Sequence, residues 1–203
     1  FYFMWNVKII TAHPQMFPGI LEYSVVGKAL KEKKWSLEVT NLHDFGYDDR
    51  KSIDDSPFGG GPGMVLRPDV VEKAVLNVKS KINDKENIPL LFMTPTGKQL
   101  KQKDLIDFTG KTGLIVLCGR FEGVDDRVIN NLGFQRISIG DYILSGGEVA
   151  AQVLLEGCVR LLPGVLGDSK SVFEESFSKN LLEYPQFTRP QIWRDQKGIK
   201  HYV

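Results

Sequence analysis

Residues 136–164 read RISIGDYILSGGEVAAQVLLEGCVRLLPG, and this stretch decides the fold because a short β-run opens through glycines straight into a helix. Arg136 to Ile139 alternate polar and apolar as a strand edge does, while Gly140, Gly146 and Gly147 allow a positive φ or a close approach to a ligand. Glu148 begins a helical period. At 3.6 residues per turn the helix predicted over Gly147 to Leu162 is apolar almost all the way round, so it is expected to be buried on several sides. Pro163-Gly164 ends it, because the residue before proline is pushed out of the α region and glycine serves as a stop. A strand, a glycine turn and a buried helix in that order predict a ligand pocket.

Working outward, Val7 to Thr11, Leu37 to Leu42, Ile88 to Thr94 and Leu114 to Cys118 read as strands. The two later runs are almost wholly apolar, as strands covered on both faces are. Helical segments are predicted between them: through Met16, Ile20, Leu21 and Leu30, from Pro68 through Val78, from Lys98 to Phe108, and from Asp125 to Leu132. Pro68 suits a first helical position, and Asp69 and Glu72 favour the positive end of that helix's dipole. Strands separated by helices indicate an α/β domain with a largely parallel sheet flanked by helices. Three successive strands end in glycine-bearing turns, TPTGK, CGRFEG and IGDYILSGG. Ligands of open parallel sheets lie outside the carboxyl ends of the strands, so these turns predict one shared pocket. Neither G-x-G-x-x-G nor G-x-x-x-x-G-K-[ST] occurs, which disfavours the standard dinucleotide and P-loop readings.

Other stretches say less. SPFGGGPGM, at residues 56–64, is too glycine-dense for a helix or strand interior, and is either a binding loop or a tight crossing of backbones. VLGDSKSVFEESF after Gly164 has the composition of a lid. The tail TRPQIWRDQKGIKHYV interleaves Arg189, Arg194, Lys197 and Lys200 with Trp193 and Tyr202, a pattern that holds phosphates and stacks bases. A solvated chain end is the plainer reading of it.

With 203 residues and 42% hydrophobic composition, the chain suits one domain of ordinary size or a large domain with a small appendage. A net charge of +1 neither demands nor excludes a polyanionic partner. Cys118 and Cys158 sit in apolar runs and read as packed thiols, too few for a disulfide framework. His13, His43 and His201 show no metal-ligand spacing. No apolar run nears the ~18 residues of a membrane span, and FYFMWNVKII has neither a basic region nor a cleavage signal. A cytoplasmic protein is expected, with Phe1 to Phe3 an upstream remnant before Met4.

From Met4 to about Pro190 the chain carries DDSPFGGGPGM, LCGRFEGVDDRV, SIGDYILSGGE, RLLPGVLG, EESF and YPQFTRP in order. In these strings it closely resembles the bacterial tRNA (guanine-N1)-methyltransferases of the SPOUT class. The resemblance implies a trefoil-knotted α/β domain over residues 1–164. Residues 165–203 would then be a lid and the start of a tRNA-binding helical region, the rest of which is truncated or missing. It implies S-adenosylmethionine as methyl donor, the guanosine just 3′ of the tRNA anticodon as acceptor, and a homodimer with a composite active site. A magnesium requirement is not legible.

Carried over residue by residue, the donor site is Thr94, Pro95 and Gly97, then Gly119 and Glu122, then Ile139, Gly140, Asp141, Tyr142, Ile143 and Leu144 with Gly146 and Gly147. Glu175 falls at the position of the general base for N1, where the family's usual residue is aspartate. Arg160 falls at that of the cation for O6. Asp54 and Asp55 match acids used near the target guanine, and Arg189 lies in the RNA-binding tail. Plainer readings stand beside these: Arg160 has Glu156 at i−4 as an ion-pair partner, Glu174 rivals Glu175, and both glutamates suit a solvated loop. A related methyltransferase acting elsewhere on RNA, and an idle RNA-binding homologue, are the alternatives.

Overall fold

The computed structural model describes residues 4–82, 88–166 and 185–202. The chain divides into two compact units, Phe1–Gly167 and Asp168–Val203. In the first unit the strands are β1 (Trp5–Thr11), β2 (Trp35–Asn41), the short β3 (Asp54–Asp55) and β4 (Val65–Leu66), then β5 (Leu90–Gln99), β6 (Gly113–Cys118) and β7 (Gln135–Ser138). The helices are α1 (Ser24–Lys31), α2 (Pro68–Ser80), α3 (Gln102–Thr109), α4 (Asp126–Leu132) and α5 (Gly147–Val159). Five strands form one sheet in the order β2-β1-β6-β5-β7, and every neighbouring pair is parallel.

The apolar runs are explained by this layering. Along β6, Leu114, Val116 and Cys118 face a core that also holds Val26 of α1, Phe108 of α3 and Leu154 of α5. Ile115 and Leu117 face the opposite core, with Val71 and Val75 of α2 and Ile129 of α4. With helices on both faces, no position in the strand meets water, so the period-2 alternation of a half-exposed strand is absent. Cys118 and Cys158 are buried free thiols, and burial pushes both up from their ordinary range. They are packing groups rather than nucleophiles.

Local chemistry sets the helix ends. Asp125 caps α4 by accepting a 3.0 Å hydrogen bond from the Arg127 amide, and Gly133 ends it at φ +75°. Asp104 accepts a 3.0 Å bond from the Lys101 amide at the start of α3. Pro68 occupies the first turn of α2, where its missing N–H costs nothing.

Three expectations are corrected. The segment through Met16, Ile20 and Leu21 is two 3-10 turns, Pro14–Met16 and Gly19–Glu22, and only Ser24–Lys31 is α-helical. Pro14 and Pro18 withdraw amide donors that a continuous helix would need. The helix expected from Lys98 starts at Gln102, because Lys98 and Gln99 still pair with β7. Finally, α5 stops at Val159 rather than Leu162: the Leu161 and Leu162 amides reach the carbonyls of Cys158 and Val159, a tightened last turn. It is buried as expected along most of its length, with Val149, Val153 and Glu156 exposed.

In the second unit the described residues include a hairpin of β8 (Ile192–Arg194) and β9 (Lys200–Tyr202). Asp195 organises its turn by accepting bonds from the Lys197 and Ile199 amides, both 2.9 Å. Trp193 stacks on His201 with ring centroids 5.0 Å apart. Ile192, Trp193, Arg194, Lys200 and His201 of this hairpin are exposed.

Candidate active site

Because β6, β5 and β7 are neighbours and parallel, their carboxyl ends open on the same edge of the sheet. A cavity of about 400 Å³ lies there, lined by residues 92–96, 119–124, 136–140 and 142–147 together with Asp126 and Ala150. Its size is that of a small-molecule site, roughly 300–1,000 Å³. The amide of Gly147, at the start of α5, donates a 2.9 Å bond to the carbonyl of Gly119 just beyond β6. That bond brings the turn after β7 back to the middle of the sheet.

The β5 wall is a bulge. Met93 and Lys98 both align with Ile137 of β7, so the residues between them loop out of the ladder. Thr94, Pro95 and Thr96 line the cavity from this loop. Gly97 does not, and its glycine has another cause: a Cβ there would lie 2.5 Å from the Arg136 carbonyl carbon and the Ile137 nitrogen. Asp141 is exposed and likewise outside the lining. Every other residue assigned to the donor site from sequence lines the cavity.

Sequence reasoning passed over the group that holds these walls together. Arg120 donates from Nε to Glu148 Oε1 at 3.1 Å, and its Nη2 lies 2.8 Å from Oε2. The second contact is ionic without hydrogen-bond alignment, since Oε2 has no hydrogen-bond partner. Glu148 is fully buried and also accepts a 2.6 Å bond from the Thr11 hydroxyl. Arg120 Nη1 donates at 3.2 Å to the Ser145 carbonyl. One guanidinium therefore ties the turn after β6 to both α5 and the loop before it. Gly146 makes room for the pair: a Cβ there would lie 2.5 Å from Arg120 Cζ and 2.6 Å from Glu148 Oε2. Arg120 lay inside the quoted CGRFEG turn, yet nothing in sequence couples it to a partner 28 residues away.

The charges are unevenly balanced. Of the acids lining the cavity, Asp126 is paired with Arg136, and that bond together with Asn130 holds its carboxyl below the usual range. Glu122 makes no ion pair among the described residues. The cavity thus presents glycine-lined turns, apolar walls from Phe92, Ile139 and Leu144, and one uncompensated carboxylate. A flat heteroaromatic group joined to a cationic tail suits that combination.

Sequence comparison identifies the surrounding family. The tRNA (Guanine-1)-methyltransferase TrmD family matches residues 4–202. The chain belongs to this family. It is 50% identical over 190 residues to the tRNA (guanine-N(1)-)-methyltransferase of Ehrlichia canis (strain Jake), covering 93% of this chain and 80% of that one. It is 50% identical over 195 residues to the enzyme of the same name from Wolbachia pipientis subsp. Culex pipiens (strain wPip), covering 95% and 83%. With that of Ruegeria sp. (strain TM1040) it shares 47% over 191 residues, covering 94% and 78%.

In this member of the tRNA (guanine-1)-methyltransferase family, none of the remaining predicted residues that are described lines the cavity. Glu175 and Glu174 lie outside the described residues. Arg160 caps the far end of α5, about 20 Å along the helix from Gly147 at 1.5 Å per residue, and is not among the cavity's lining residues. Asp54 and Asp55 form β3 at the base of the glycine hairpin, where Arg67 pairs with Asp55 at 3.2 Å. Residues 58–61 form the hairpin's open tip, since nothing lies within 4 Å of a Cβ built at Gly59, Gly60 or Gly61 and Phe58 is fully exposed, whereas Gly63 and Met64 pack closely against Glu122. Arg189 is exposed in the second unit. No helix among the described residues is long and apolar enough to cross a membrane.

Proposed function

We propose that this protein transfers a methyl group from S-adenosylmethionine to N1 of the guanosine immediately 3′ of the anticodon in tRNA, and that it works as a cytoplasmic homodimer. The observation that carries the reading is the strand-end cavity, whose only unpaired acid among the described lining residues is Glu122. An adenosyl group fits turns where glycines let backbone amides and carbonyls approach its ring. Glu122 would face the donor's positive charge, and Arg120 would keep the Ser145 carbonyl and the loop around it in place. When bound, the donor would supply a methyl carbon on a cationic sulfur, an electrophile that the guanine nitrogen could take with the neutral thioether as leaving group.

The protein's own part is to hold the purine and move its proton. N1 carries a proton that must leave as the new bond forms, and Glu175 is the carboxylate proposed to take it. Negative charge drifting onto O6 needs a cation, the role proposed for Arg160. Since Arg160 stands about 20 Å along α5 from the cavity of its own subunit, it would serve the cavity of a second copy. The exposed Val149 and Val153 on the same helix support a face that another copy covers. The implied knot belongs to this reading too, supported by the chain's path from edge strand β7 past β5 to its bond with Gly119.

Radiolabelled methyl transfer to a tRNA transcript tests the reading directly. Transfer should vanish when the target guanosine becomes adenosine; continued labelling would assign the enzyme to another position. Glu175→Gln and Arg160→Ala should each cut the rate by about 10²-fold or more while donor binding survives. An unchanged rate for Glu175→Gln would move the base to Glu174.

A further inference from the structure

We propose that Gly63 of the glycine hairpin is a positioning residue for Glu122, making the hairpin and the methyl-donor cavity one coupled unit. The role rests on the donor reading above and extends it to a residue outside the cavity's lining. A Cβ at Gly63 would lie 2.6 Å from Glu122 Oε1 and 2.9 Å from its Cδ. The missing side chain is therefore the space that the Glu122 carboxylate occupies at the cavity wall. A second observation is independent of side chains. The Glu122 amide donates to the Met64 carbonyl at 2.9 Å, the Leu66 amide to Gly123 at 2.9 Å, and the Asp125 amide to Leu66 at 3.1 Å. The returning arm of the hairpin is thus bonded along its length to the turn that carries Glu122.

Beyond Gly63 the tip stands clear of the domain, with Phe58 fully exposed. A partner gripping that tip, the acceptor RNA in the present reading, pulls on the arm against which Glu122 rests. Donor binding and hairpin placement then influence each other equally, since coupling between two sites is reciprocal. Sequence alone offers no view of this contact, because the two residues are brought together by those backbone bonds and by the bridge between Leu66 and Val124.

Donor affinity measured by calorimetry with S-adenosylmethionine, in the full chain carrying Gly63→Ala, Glu122→Ala or both, tests the coupling. Gly60→Ala is the control for backbone strain, since Gly60 has a similar φ of +87° against +81° but open space around it. Gly63→Ala should weaken binding about fivefold, at the low end for coupled sites, and should add no loss once Glu122 is alanine. Gly60→Ala should bind as wild type does. An equal loss in both backgrounds, an equal loss from Gly60→Ala, or no loss at all overturns the role. If Gly63→Ala alone fails to fold, the double variant with Glu122→Ala decides the matter, because it removes the Cγ that would lie 2.4 Å from the added Cβ: recovered folding supports the contact, and continued misfolding overturns it. Absence of donor binding by the wild-type chain is a separate result, which overturns the donor reading and this role with it.

Discussion

Glu148 shows how much of the site rests on one side chain that never reaches the cavity. Its carboxylate is fully buried and receives both Thr11 and Arg120. Removing one member of a buried pair strands the other in a poor solvent. Glu148→Ala is therefore expected to cost about 3 kcal/mol, read as a lower urea midpoint at an unchanged m-value. The double variant Arg120→Met with Glu148→Leu should recover much of that loss yet bind the donor weakly, because no guanidinium then holds the Ser145 carbonyl. Sequence reading reached the glycines of the cavity through turn chemistry, which is local, and Glu122 through the family resemblance. It treated Glu148 only as the start of a helix, and its partner is set by the fold.

At the level of elements, the pairing of β1 with β2 carries a testable charge. The parallel register sets Lys8 beside Glu38; Lys8 bonds it at 2.6 Å and Lys81, beyond α2, at 3.0 Å. Lys8 first, then Lys81, hold the Glu38 carboxyl below its ordinary value of 4.5. A depressed folded value means that the pair's contribution is present in full above the unfolded value and is lost as pH falls through the folded one. Urea midpoints should therefore fall more steeply in wild type than in Glu38→Gln between roughly pH 5 and pH 3; parallel curves would remove the pair from the acid response. Strand β6 and the start of β5 were legible because strands covered on both faces are apolar without interruption, and β1 and β2 because their composition is β-rich. Helix starts near Met16 and Lys98 were misplaced, where prolines and a resumed ladder outweighed the apolar spacing.

The whole molecule raises the question of Arg160, held at one end of α5 while the cavity lies at the other. If the working site joins the cavity of one copy to Arg160 of the next, two inactive variants should complement. Thr94→Arg fills the cavity and Arg160→Ala removes the cation. Refolded together in equal amounts, half of the dimers are mixed, and each mixed dimer keeps one intact composite site, so about a quarter of wild-type methylation should return. No recovery would place Arg160 and the cavity in the same working site of a single chain, or remove Arg160 from the chemistry.

By itself the sequence determined the α/β class, the succession of strands and helices, the three glycine turns and the family, all of which depend on residues close together in the chain. Propensity, burial period and turn chemistry act over a few residues, and motif strings are read without a fold. Tertiary structure alone decided that Gly97 lies tight against the β7 backbone, that Phe58 to Gly61 stand open, that Arg120 meets Glu148, and that Gly63 leaves room for Glu122. Three of these are contacts between segments far apart in sequence and the tip is a place that such contacts leave open; both follow from sheet order and register rather than from any local preference.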